Sequence, residues 1–179
     1  MLAYFFVALA VAFHFLPHSA WAFTPVAASL LFFGARGPRR QWFVPLALLI
    51  ATDVYLTTVR YAYPLSPDHF VTWAWYAGVL WLGTRLAGDG GNHEKLNWLP
   101  LGVSALTASV SFFVLSNFAV WLSWNMYPKT FAGLGMCYEA AIPFFRNQPI
   151  ADLLFTFGFF GIAALAHGFA RDRAVGGTV

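Results

Sequence analysis

From Trp98 to Leu122 the chain runs without a single charged side chain. That is longer than the roughly 20 apolar residues a helix needs to cross the hydrocarbon core of a bilayer. Further apolar runs lie on both sides of it. A water-soluble fold has no interior large enough to hide them all. Of the 179 residues, 60% are hydrophobic, 20% aromatic and 9% charged. A soluble domain carries about 25% charged residues, so this chain uses lipid as the solvent for its apolar faces. Its length fits one domain, 1–179, with room for five or six spans. The single cysteine, Cys137, excludes an internal disulfide and any multi-cysteine metal site. No basic tract of the kind that binds nucleic acid is present.

Taken in order, Met1–Leu16 is apolar apart from His14 and short for a span. Ser19-Ala20-Trp21-Ala22 resembles a small-residue cleavage site, which makes a signal peptide the alternative; no Lys or Arg precedes the apolar run, which argues against it. Ala22–Ala35 is a second short segment, read as tilted or partly re-entrant. The third span is expected over Trp42–Val59, the fourth over Phe70–Leu86, the fifth over Trp98–Leu122 and the sixth over Ile150–Ala170. Ser104, Ala105, Thr107, Ala108, Ser109 and Ser111 place the fifth at the bundle centre, because small residues let helices approach. Residues 88–97 are the most water-like stretch.

The Lys/Arg distribution sets the orientation. With six spans and the N-terminus inside, Arg36, Arg39, Arg40, Arg85, Lys95, Arg171 and Arg173 face the cytoplasm. Arg60, Lys129 and Arg146 face outward. Both termini are then cytoplasmic.

Asp53 is the polar group placed deepest in a span. A carboxylate there costs a few kcal/mol and needs a partner or a wet cavity. Arg60 lies two turns on along the same face, about 11 Å of rise away. Asp53 either locks neighbouring helices or handles a ligand or ion. Asp152 is read as complementing the positive start of the sixth span, with Asn147 or Gln148 as its cap. His14 and His167 are read as interfacial. No His-x-x-x-His, Glu-x-x-His or Cys-x-x-Cys pattern occurs. No nucleophile–base constellation is placed by spacing, so no enzyme activity and no cofactor are expected.

Residues 123–149 are too polar for a span and too apolar for an ordinary loop. They read as an outward-facing lid or re-entrant segment over a ligand site, with 140–149 as an apolar hairpin. Trp121, Trp124 and Tyr127 form either an interfacial aromatic belt or a stacking wall. Lys129 and Arg146 are interfacial cations or receivers of an anionic group. Cys137 is a small apolar residue or a soft ligand to a cofactor metal.

FTPVAASLLFFGA, followed by a basic loop and the span that carries Asp53, resembles the start of a family of small bacterial membrane proteins of unknown function. SNFAVWL, YPKTFAGLGMCYEAAIPFFRN and IADLLFTFGFFG resemble that family's second signature stretch. At position 22 the family pattern has Asn where this chain has Ala. A more distant resemblance is to the S components of energy-coupling-factor (ECF) vitamin transporters. It implies six helices, cytoplasmic termini, an outward-facing site and a transmembrane coupling subunit with ATPases as partner. In those proteins an Ala-x-x-x-Ala pair docks on that subunit, and Ala8 and Ala12 have this spacing. Some bind cobalamin, in one group through a cysteine, a place Cys137 would take.

The expectation is therefore an all-α membrane protein of the bacterial inner membrane, a bundle of about six transmembrane helices like an ECF S component. Its expected role is capture of a small water-soluble solute for uptake. Trp121, Trp124, Tyr127, Tyr138 and Phe144 would supply contact area. Asn117, Asn125, Glu139, Arg146 and Asn147 would orient polar groups. The rival expectation is a non-transporting accessory subunit of a membrane complex.

Overall fold

The computed structural model describes residues 1–16, 23–86 and 97–176, with side chains as far as Phe169. Seven α-helices and no strand occur among them: α1 (Leu2–His14), α2 (Val26–Arg36), α3 (Phe43–Tyr55), α4 (Pro67–Thr84), α5 (Trp98–Ser123), α6 (Phe131–Phe145) and α7 (Gln148–Gly176). A 3-10 turn at Arg39–Gln41 leads into α3, and a π-helical turn at Leu56–Arg60 extends it. Three stretches are long and apolar enough to cross a membrane: Arg39–Arg60, Trp98–Ser123 and Gln148–Phe169. They mark the chain as a membrane protein.

The bundle is built around α2. Every residue from Val26 to Gly34 is buried, and the helix packs against α1, α4, α5 and α7. A helix apolar on all sides needs partners on all sides. At 11 residues α2 is about 16 Å long, half the hydrocarbon thickness. It is the core of the protein rather than a lipid-facing span. Where α2 meets α4, Gly34 and Gly83 lie at the crossing. A Cβ on Gly34 would fall on the Leu80 carbonyl oxygen, and one on Gly83 on the Leu31 carbonyl oxygen. The absent side chains let the two backbones touch. α1 closes another side of α2: Phe6 stacks on Phe159 of α7 at 3.9 Å and meets Phe32 of α2 edge-on at 4.9 Å.

Helix α4 starts with Pro67 in its first turn and a capping box between Ser66 and His69. Helix α5 buries a stripe of Leu101, Ser104, Ala105, Ala108 and Ser109 against α4 and α7. The expectation that α5 holds the centre is thus corrected: α5 is packed on one stripe, and α2 is packed all round.

Helix α6 turns back along the second half of α5. Thr130 caps it, accepting from the Gly133 amide at 3.1 Å. The Tyr138 hydroxyl donates to the Val114 carbonyl at 2.7 Å, and Phe145 lies 4.4 Å from Phe113. The hairpin expected over 140–149 is not formed. Residues 140–145 continue α6 through Pro143, and the turn falls at Arg146–Asn147. Pro143 is tolerated because its missing N–H leaves one carbonyl of the preceding turn without a donor, close to the helix end.

The Ser19–Ala22 stretch, most of the 88–97 loop with Lys95, and the side chains of Arg171 and Arg173 lie outside the described residues.

Candidate functional site

Polar side chains from separate helices converge at the end of the bundle where α1 finishes and α2 and α7 begin. They surround a small cavity of about 100 Å³ lined by His14, Thr24, Val26, Ala27, Trp75, Tyr76, Phe112, Gln148 and Asp152. A water molecule occupies about 30 Å³ of liquid, so the space suits a few waters or one small solute. Sites for drug-sized ligands run to about 300–1,000 Å³.

Asp53 stands behind this cavity. Its Oδ2 accepts from the Trp73 indole at 3.1 Å, and its Oδ1 lies 3.5 Å from His14 Nε2. The Tyr76 hydroxyl also faces the Asp53 carboxylate. His14 Nδ1 lies 3.1 Å from the Ala10 carbonyl, one turn back on α1. The expected alignment of Asp53 with Arg60 gives way to this cross-helix set. Two helical turns separate Asp53 from Arg60, whereas α1 and α4 bring His14 and Trp73 into direct contact. His14, the last residue of α1, takes part in this set.

Asp152 closes the cavity from α7. It is 2% exposed and accepts from the Ser109 hydroxyl of α5 at 2.6 Å. It lies four residues past Gln148, the first residue of α7. Its carboxyl group turns into the bundle, and the expected pairing with the positive start of the helix is not formed, because Asp152 lies beyond the first turn of α7. The structure thus links two carboxyl groups, each on a helix apolar enough to cross a membrane, through one cavity wall: Asp53 by way of His14 and Tyr76, Asp152 directly. Among the described residues no group of three His, Cys, Asp or Glu is placed to hold a metal ion.

A second, larger recess of about 620 Å³ runs between α4 and α5. It is apolar, with Phe70, Ala74, Gly78 and Trp81 on one side and Thr107, Ser111 and Leu115 on the other. Trp75 belongs to both spaces. Its indole donates to Ser111 at 3.0 Å and its ring lies 4.8 Å from Phe112, so it forms the partition between them.

The residues expected to form a ligand site under a lid line neither space. Several hold the α5–α6 hairpin together. The Asn117 side chain donates to the Phe113 carbonyl of its own helix at 2.7 Å, and the Asn117 carbonyl receives Cys137 Sγ at 3.5 Å. The Trp121 indole donates to the Pro128 carbonyl at 2.9 Å. Lys129 caps α5: its ammonium bonds the carbonyls of Trp121, Leu122 and Trp124 and sits over the Trp121 ring. Trp124 reaches across to Asp68 at the start of α4, 3.2 Å away. Asn125, Glu139, Phe144 and Arg146 are exposed, while Tyr127 and Asn147 are half-buried. The Asn147 carbonyl accepts from the Ala151 amide, the first turn of α7. Ala8 and Ala12 both lie on the exposed face of α1.

Sequence reasoning missed His14, Tyr76, Ser109 and Asp152 as members of one site. A usable signal existed for two of them. His14 interrupts the first apolar run and Asp152 stands near the start of the last, and intramembrane ionisable residues mark functional sites by default.

No curated protein and no solved structure matches the chain. A family model matches it from residue 1 to 174, in line with the resemblance to a family of unknown function. The chain belongs to the family of unknown function DUF6580.

Proposed function

We propose that this protein is a solute-binding component for uptake across a bacterial inner membrane, and that its ligand sits in the polar cavity beside Asp152. The observation that carries this reading is the setting of that carboxyl group: buried, turned to a cavity, and bonded among the described residues to Ser109 alone. A carboxylate at membrane depth without a cationic partner is costly. Retaining one at the wall of a space that fits a small molecule is the signature of a binding site.

The Lys/Arg distribution supports an outward-facing arrangement. With Arg36, Arg39, Arg40 and Arg85 in the cytoplasm, the ends of α1, α2 and α7 that frame the cavity lie in the outer half of the membrane. Both termini inside and a site in the outer half are what an S-component-like protein would have. The exposed Ala8–Ala12 face of α1 leaves room for the helix of a coupling subunit with its ATPases. The cavity volume favours a solute well below cobalamin in size.

The accessory-subunit reading has one observation in its favour, the open apolar recess between α4 and α5. A thermal-shift screen of the protein in lipid nanodiscs separates the two. Small cationic, neutral and anionic solutes are tested at high concentration. A ligand at 100 times its Kd stabilises by about 2.7 kcal/mol, and that shift is expected in the wild type and lost in Asp152→Asn. A folded protein that no solute shifts supports the accessory reading.

A further inference from the structure

Resting on the binding reading above, we propose that the captured solute is a small organic ammonium cation, held by the Asp152 carboxylate against the aromatic wall of Trp75, Tyr76 and Phe112. Three observations converge on that chemistry. First, the carboxyl group that faces the cavity has no cationic partner among the described residues. His14 is engaged elsewhere: its two ring nitrogens face the Ala10 carbonyl and the Asp53 carboxylate. Among the described residues Asp152 accepts from a neutral hydroxyl alone, that of Ser109. Second, the remaining walls are aromatic. Trp75, Tyr76 and Phe112 all line the space, with Trp75 at 4.8 Å from Phe112 and 5.9 Å from Tyr76. Ring faces attract alkylammonium groups, and more strongly away from water. Third, the volume of about 100 Å³ is too small for a vitamin yet roomier than a bare ion requires. A hard metal cation looks for six or more oxygen ligands, and this wall offers carbon on most sides. Gln148 and Thr24 supply the polar contacts that an N–H donor needs at the end nearest the chain turns.

Isothermal titration of the whole chain in nanodiscs tests the assignment, with isopropylammonium and tetramethylammonium chloride as probes. Controls are 2-propanol as the neutral counterpart and sodium and potassium chloride as metal cations. The ammonium salts are expected to bind while 2-propanol and the alkali salts do not. Asp152→Asn should weaken binding at least tenfold. Phe112→Leu keeps the carboxylate and should weaken it several-fold, so it carries the test if Asp152→Asn does not fold. Equal binding of sodium or potassium, or an affinity untouched by Phe112→Leu, overturns the ammonium assignment. Binding of a neutral or anionic solute in place of the ammonium salts overturns it too, but leaves the capture reading standing. Heat signals absent for every solute remove both.

Discussion

Thr156 lies one turn beyond Asp152 on α7, is fully buried, and its hydroxyl has no hydrogen-bond partner among the described residues. A buried donor without an acceptor carries a desolvation cost of about 1–3 kcal/mol. Thr156→Val is therefore expected to stabilise the fold by about 1 kcal/mol, read as a raised Tm in nanodiscs. Ser109→Ala should do the opposite. It removes the one hydrogen bond that the described residues make to the Asp152 carboxyl group and should cost about 1–3 kcal/mol. The same contrast of sign separates two glycines of α4's surroundings. Gly34→Ala drives a methyl group onto the Leu80 carbonyl and should lower stability by about 1–3 kcal/mol through overpacking. Gly78→Ala meets nothing within 4 Å and should raise it by up to about 1 kcal/mol through helix propensity. Thermal unfolding of the four variants side by side checks all four signs.

At the scale of elements, α6 rests on α5 by a thin seam. Tyr138 and Cys137 reach α5 carbonyls and Phe145 meets Phe113, while Phe131, Met136, Ile142 and Phe144 are exposed. Removing the Tyr138 hydroxyl should loosen this helix and little else. Tyr138→Phe is expected to speed amide hydrogen exchange across 131–145 while exchange in α2 stays unchanged; a uniform acceleration would mean that α6 is integral to the core. The seam also shows what the sequence could and could not say. Long apolar runs, uncharged in α5 and broken only by Asp53 and Asp152 in the other two, announced the starts of α3, α5 and α7 to within two residues, because such length with so little charge has one solution in a bilayer. The role of α2 was not legible: Val26–Gly34 reads the same whether lipid or protein surrounds it. Helix α6 was read as a lid because Lys129, Glu139 and Arg146 make its neighbourhood polar, and periodicity does not reveal that Lys129 turns back to cap α5. Asp53 was marked by its depth, but its partners His14 and Trp73 come from α1 and α4, and pairings between distant segments leave no trace in one sequence.

For the whole molecule, the orientation in the membrane decides from which side the cavity is reached. The single cysteine makes both accessible to chemistry. Cys137→Ser provides a cysteine-free background into which single thiols are placed. Tyr63→Cys and Asn125→Cys, both at exposed turns, should react with a membrane-impermeant maleimide added to intact cells. Arg40→Cys should react only after the membrane is opened; the reverse pattern would turn the protein over. The most direct measurement then probes the cavity itself. Thr24→Cys places a thiol on its wall, and Leu31→Cys places one in the dry core of α2, where the native side chain is 0% exposed. A small, cationic, water-soluble thiosulfonate is added from outside, with and without isopropylammonium. The expected result is rapid modification of Thr24→Cys, slowed by the ammonium salt, and an inert Leu31→Cys. If Thr24→Cys is as unreactive as Leu31→Cys in a folded protein, the space beside Asp152 is sealed from the outside, and the claim that it captures a solute is wrong.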